Sequence, residues 1–176
     1  MTIAQLLRSV TSSLESKGIP YMVSGSMAMI AYTVARTTRD IDMVIELNIE
    51  SVDDFCELFK EHFYLHKPSI EEEVRKRGMF NLIDERSGMK IDFIVKKNSP
   101  YRKHEFERKN ITELFGHQVW VVSVEDLIIS KLIWIQELQS GRQMEDIKML
   151  LANQTVDRVY IKKWINDLGL TTFDLI

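Results

Sequence analysis

Three aspartates sit inside otherwise apolar runs: Asp40 and Asp42 in DIDMVIE, and Asp92 in MKIDFIV. Residues two apart in a strand project from one face, so Asp40 and Asp42 present carboxylates about 6.5 Å apart at the backbone, and side-chain rotation brings them closer. Like charges at 4 Å repel by about 1 kcal/mol in water and by more where the dielectric falls, so a half-buried acidic pair calls for a cation. Mg²⁺ takes hard oxygen ligands, commonly one or two carboxylates together with substrate phosphates. Two such ions about 3.5–4 Å apart hold the attacking and the leaving oxygen of a phosphoryl displacement. Acidic residues are common at strand ends, so a D-x-D pair alone does not identify a site. Asp92, flanked by Ile91 and Phe93, adds a polar group to a second apolar strand. If the two strands pair, Asp92 completes the metal site and serves as general base toward an acceptor hydroxyl attacking an α-phosphate.

A second element precedes the acids. Gly25-Ser26 follows the β-prone run Tyr21–Ser24 and leads into MAMIAYTVA, whose small and apolar residues read as a closely packed helix. Glycine lets the backbone approach a ligand, and amide groups at a helix start attract phosphate oxygens. A Gly-Ser turn is equally at home as a plain strand-to-helix connection; the acidic pair some fifteen residues on is what makes it informative. Thr37, Thr38 and Arg39 stand just before that pair, and Arg39, like Arg36, suits either an ion pair with Asp40 or Asp42 or a phosphate contact.

These residues must be positioned by a sheet. Ile3, Leu6, Leu7, Val10 and Leu14 mark a first helix that Thr2 caps and Gly18 ends in the left-handed region. Val52, Phe55, Leu58, Phe59 and Phe63 fall on one stripe of a helix from Ser51 to Leu65, and another helix begins near Ser69. MFNLIDE and MKIDFIV flank Arg86-Ser87-Gly88 as adjacent antiparallel strands; ITELF and QVWVV pair around Gly116-His117. Three helices follow, at about 124–138, 143–151 and 156–168. Together these imply a mixed sheet of about five strands with flanking helices, residues 1–122 forming an α/β core and 123–176 a helical subdomain packed on it.

The chain of 176 residues, 45% hydrophobic, is of a size for one domain with an appended subdomain. No apolar run of about 18 residues and no secretory leader is visible, which reads as a cytoplasmic protein without a membrane partner. Cys56 is the single cysteine, placed in a helix as a packing residue. The net charge of -3 makes no global case for nucleic acid. The local run KKNSPYRKHEFERK, with Lys96, Lys97, Arg102, Lys103, Arg108 and Lys109, offers either a solvated surface or a phosphate-contacting rim. His62 and His66, four apart near a helix end, lack the company a zinc site needs. Trp120, Trp134 and Trp164 read as packing contacts rather than base-stacking platforms. No GxxxxGK[ST], GxSxG or GxGxxG motif is present.

Taken together, Val23-Ser24-Gly25-Ser26, a following helix, Arg39-Asp40-Ile41-Asp42 and the strand Lys90-Ile91-Asp92-Phe93 resemble the signature of the DNA-polymerase-β-like nucleotidyltransferase superfamily. The likeness is to its minimal bacterial and archaeal members, including the abortive-infection-type nucleotidyltransferase toxins, although Gly25-Ser26 replaces the double glycine common in that branch. The resemblance implies an enzyme that transfers a nucleoside monophosphate from an NTP to a hydroxyl and releases pyrophosphate. It assigns Gly25 and Ser26 to the nucleotide, and Asp40, Asp42 and Asp92 to catalysis and to Mg²⁺, with two ions able to bind. EDLIISKL and GRQMEDIKML are similar to the relatives' helical tail and make Lys131 and Asp146 the matching positions, Lys131 toward the triphosphate. The acceptors implied are a tRNA, a protein or a small molecule, and a toxin or antitoxin partner is implied as well. Two other readings stand beside this one: a catalytically silent module that binds nucleotide or a partner, and an α/β domain whose acids only cap strand ends.

Overall fold

The computed structural model describes residues 1–34 and 38–176; Arg36 and Thr37 lie outside the described residues. Helix α1 (Ile3–Ser16) starts at a capping box in which the Gln5 amide donates to Thr2 Oγ1 at 3.2 Å and the Thr2 amide donates to Gln5 Oε1 at 2.8 Å. Leu6, Leu7, Val10 and Leu14 are its buried stripe, and Gly18 at φ 63 releases the chain into β1 (Tyr21–Ser24). Then come α2 (Gly25–Ala28), β2 (Asp40–Ile45), α3 (Val52–Phe59), β3 (Phe63–Tyr64), α4 (Lys67–Lys76), β4 (Met79–Asp84) and β5 (Lys90–Val95). The chain continues with α5 (Pro100–Glu107), the hairpin β6 (Asn110–Leu114) and β7 (His117–Val121), and the helices α6 (Val124–Glu137), α7 (Gly141–Leu151) and α8 (Arg158–Leu168).

The described strands form one mixed sheet of seven, ordered β3-β4-β5-β2-β1-β7-β6, where about five were expected. β2 runs parallel to β5, and β1 parallel to β7; the other pairs are antiparallel. Six of the seven coincide with segments read as strands; the seventh is β3, which lay inside the helix expected to reach Leu65. That helix ends at Phe59, because Phe63 packs its ring 5.3 Å from that of Phe59 while its backbone pairs with β4. A stripe of phenylalanines therefore served two elements. His62 and His66 consequently flank β3 rather than share a helix, and His66 Nδ1 lies 2.7 Å from Ser69 Oγ at the start of α4. The helix expected over MAMIAYTVA is also shorter: α2 passes into a single 3₁₀ turn, Met29–Ala31.

One face of the central strands is sealed. Ile41, Met43 and Ile45 of β2 and Ile91, Phe93 and Val95 of β5 are wholly buried, against an aromatic cluster in which the Phe55 and Phe80 rings lie 5.3 and 5.4 Å from Phe93. Each such side chain contributes about 1.5–3 kcal/mol. A one-residue slip of either strand would turn its whole apolar set outward, so the phase of the alternation is pinned. The same pinning sends Asp40, Asp42 and Asp92 to the opposite face.

The last three helices join this core through Ile128, Leu132, Ile147 and Ile161. They are also held by Asp126, fully buried at the start of α6. Its carboxylate accepts from Arg108 Nε at 3.0 Å, Ser123 Oγ at 2.7 Å and the Tyr160 hydroxyl at 2.7 Å, tying α5 and α8 to α6. Among the described residues no helix is long and apolar enough to cross a membrane.

Candidate functional site

Strand register builds the site. Ser24 of β1 pairs with Asp42 of β2, Asp42 with Asp92 of β5, and Asp92 with Asn81 of β4. Directly paired residues share a face, so these four side chains form a row across the sheet, each strand about 4.8 Å from the next. Asp40 pairs with Lys90 in the adjoining row on the same face. The structure thus brings Asp40, Asp42 and Asp92 together on one side of the sheet, Asp40 exposed, Asp42 half-buried and Asp92 8% exposed.

Gly25 stands at the β1 end of that row. Its φ of 57 lies in the region that L side chains avoid, and a Cβ there would meet Asp42 Oδ2 at 2.0 Å. The Asp42 carboxylate occupies the space a side chain would need, and the Ser26 amide donates to it. Ser26 is thereby engaged with the metal-binding candidate rather than standing clear of it.

The charges are unevenly relieved. Burial, and after it the charge of Asp92, pushes the Asp42 carboxyl above the ordinary carboxylate range; the Ser26 amide and the Lys131 ammonium act against the rise, and Asp40 adds to it. Lys90 Nζ lies 2.8 Å from Asp92 Oδ2, a contact that in turn raises the lysine's pKa. This partner went unread in the sequence, although lysine two residues before aspartate in a strand places both on one face. An excess of carboxylate with oxygen donors of this kind fits a hard divalent cation. With the side chains as they stand, no group of three or more His, Cys, Asp or Glu among the described residues is close enough to hold a metal ion. Exposed Asp40, first residue of its strand, would have to turn inward.

Lys131 is buried in α6, where solvent exposure is the usual fate of a helical lysine. Its Nζ donates to Asp146 Oδ2 and to Gln143 Oε1 of α7, both at 2.8 Å, and its charge reaches Asp42. Both tail positions singled out by resemblance therefore meet in one buried pair. Arg39 is exposed immediately before β2.

The basic run is largely consumed within the fold. Lys96 pairs with Glu46, Arg102 with Glu105 at 2.9 Å, and Arg108 with Glu125 and Asp126 at 3.0 Å, while Lys109 donates to the Phe106 carbonyl and lies 4.0 Å from its ring centroid. Its arginines and these lysines anchor α5 to α6 and to the sheet. Cys56 is buried in α3, as expected of a packing residue. Of the tryptophans, Trp164 packs 5.0 Å from Tyr101, whereas Trp134 is 59% exposed and not a core contact.

A family model described as nucleotidyl transferase AbiEii toxin, type IV TA system, matches residues 7–169. Solved structures share the fold. The antibiotic-resistance factor ANT(2'')-Ia superposes with a TM-score of 0.63 at 13% identity, over 94% of this chain and 90% of its own. Lincosamide antibiotic adenylyltransferase LnuA, bound to lincomycin, gives 0.55 at 13% identity, over 85% and 96%. An antigenic nucleotidyltransferase-like protein from Paracoccidioides brasiliensis gives 0.53 at 15% identity, over 92% and 86%. No curated protein sequence matches the chain.

Proposed function

Because this chain belongs to the AbiEii nucleotidyl transferase toxin family, within the DNA-polymerase-β-like nucleotidyltransferase superfamily, we propose that it moves a nucleoside monophosphate from an NTP to a hydroxyl acceptor and releases pyrophosphate. The observation that carries the reading is the cross-strand row: Ser24, Asp42 and Asp92 in register, with the bare Cα of Gly25 against the Asp42 carboxylate.

In this reading Asp40, Asp42 and Asp92 hold Mg²⁺, and the raised carboxyl of Asp42 is what a cation would relieve. When bound, the ion neutralises phosphate charge and polarises the phosphoryl group. Gly25 and Ser26 cradle the triphosphate, and Arg39 and Lys131 add cationic contacts to it. Asp92 takes the acceptor's proton once the triphosphate draws Lys90 away from it. Residues 1–122 carry this chemistry, and 123–176 form the helical subdomain that brings Lys131 to the site. An antitoxin partner is part of the proposal, from the family's description as the toxin of a type IV pair.

The silent, nucleotide-binding reading has one observation in its favour, the Lys90 ammonium seated on Asp92 where a base must be free. Titration of ATP with and without Mg²⁺, followed by measurement of pyrophosphate across many acceptors, separates the two. Mg²⁺-dependent affinity with pyrophosphate release, both lost in Asp42→Asn, is the expected result. Affinity without release supports the silent module, and no affinity at all ends both.

A further inference from the structure

The face that carries the acids continues past Asp92 to the edge of the sheet, and its character changes there. On β4, Met79, Asn81 and Ile83 point outward between buried Phe80, Leu82 and Asp84. Tyr64 of β3 pairs with Ile83 and so shares that face. Tyr64 is 62% exposed, Met79 50% and Ile83 37%. None of these four outward side chains carries a charge, and the nearest cation in the rows, Lys90, already rests on Asp92. From strand spacing and rise, Tyr64 stands about 12 Å from Asp92, one strand beyond Asn81 and two residues along.

A phosphoryl displacement is roughly in line, with the attacking oxygen opposite the leaving oxygen. In the reading above the triphosphate is anchored at Gly25-Ser26, at the β1 end of the row. Pyrophosphate then leaves toward β1, and the acceptor must enter from the other end, across β5 and β4. Asn81 is the next side chain in register beyond Asp92.

We infer that the outward face of β3 and β4 is the acceptor subsite, that Asn81 positions the acceptor hydroxyl, and that Tyr64, Ile83 and Met79 receive a neutral, ring-bearing body attached to it. This rests on the proposed nucleotidyl transfer. The hydroxyl oxygen bonds to the α-phosphorus, the bond from that phosphorus to the bridging oxygen of pyrophosphate breaks, and the hydroxyl proton passes to Asp92. The Asn81 amide, able to donate and to accept, orients the hydroxyl without competing for its proton. An exposed tyrosine paired with Ile83 offers a planar apolar surface for a ring to stack on, with Met79 on the far side of Asn81. The four platform side chains themselves offer no ion-pair partner, so they hold the acceptor's body by stacking and apolar contact rather than by charge.

The test uses the full chain with Mg²⁺ and α-labelled ATP, and three acceptor probes: 4-nitrophenyl glucoside as the neutral ring-bearing alcohol, an aminoglycoside as the polycation, and a single-stranded RNA with a free 3′ hydroxyl as the polyanion. Label enters the glucoside in preference. Asn81→Ala and Tyr64→Ala each lower kcat/KM for it by about tenfold, the loss of one hydrogen bond or one stacked ring, while Tyr64→Phe retains it. Mg²⁺-dependent ATP affinity, read by calorimetry in the same samples, stays within twofold of the parent chain. Preferential labelling of the aminoglycoside or the RNA, no labelling of the glucoside by a chain that binds ATP with Mg²⁺, or a parallel loss of ATP affinity in the variants overturns the inference. A parent chain with no Mg²⁺-dependent ATP affinity instead fails the proposed function.

Discussion

Replacing Gly25 with alanine separates backbone strain from damage to the site. A Cβ at Gly25 would sit 2.0 Å from Asp42 Oδ2, where ordinary contact begins at 3.4 Å, so the carboxylate must retreat by about 1.4 Å. Displacement of about 1 Å in a catalytic constellation costs roughly a hundredfold in rate. The φ of 57 adds about 1–2 kcal/mol of left-handed strain for an L residue. For a chain of this length that is a fall in Tm of about 2–8 °C. Gly18 is the matched control: its φ is 63, and nothing lies within 4 Å of a Cβ built on it. Gly18→Ala should show the same thermal loss with Mg²⁺-dependent nucleotide binding and turnover intact. Gly25→Ala should lose about a hundredfold in pyrophosphate release and weaken the Mg²⁺ dependence of ATP binding. Differential scanning calorimetry and a coupled pyrophosphate assay on the two variants make the comparison. Equal activity in both, or turnover by Gly25→Ala within threefold of the parent, refutes the reasoning.

Asp42 holds its proton more tightly folded than unfolded, so folding is favoured in acid and that advantage fades as pH rises from the ordinary carboxylate range through the raised folded value. Asp42→Asn should therefore raise Tm at neutral pH without divalent cation, and the gain should vanish in acid; a lower Tm at neutral pH, measured by thermal melts across pH, contradicts the charge argument. Asp126→Ala leaves Arg108 half-buried without its main carboxylate and frees the Tyr160 hydroxyl, at a cost of about 3–5 kcal/mol. Urea unfolding should register that loss, and a change below about 1 kcal/mol would mean that the cluster does not bind the tail helices to the core.

The strands that bear the acids were legible because their apolar partners alternate without interruption: Ile41 and Met43, like Ile91 and Phe93, leave one phase for the aspartates. The hairpin from Met79 to Val95 was legible for the same reason, with Arg86-Ser87-Gly88 between its arms. β3 was not, since Phe63 extends the stripe of Phe55 and Phe59 at helical spacing and only tertiary pairing with Asp84 makes it a strand. Lys131 was a tail position known by resemblance alone. Its burial had a visible cue: Leu127, Ile128, Ile129, Leu132 and Ile135 surround it on more than one face of α6, which leaves little room for a solvated ammonium. The basic run misled in the opposite way. Counting its cations ignored the acids at Glu46, Glu125 and Asp126, distant in sequence, that neutralise them.

The parallel pairing of β2 with β5 also has a temporal side. Asp42 and Asp92 meet only after the chain has made two α-helices and two further strands of the same sheet and come back alongside β2. A ribosome working at about 5–20 residues per second needs roughly 2–10 s to travel from the second acid to the third, and longer to deliver Lys131. Under the proposed function, a nascent chain therefore lacks its full set of acids until that crossover closes.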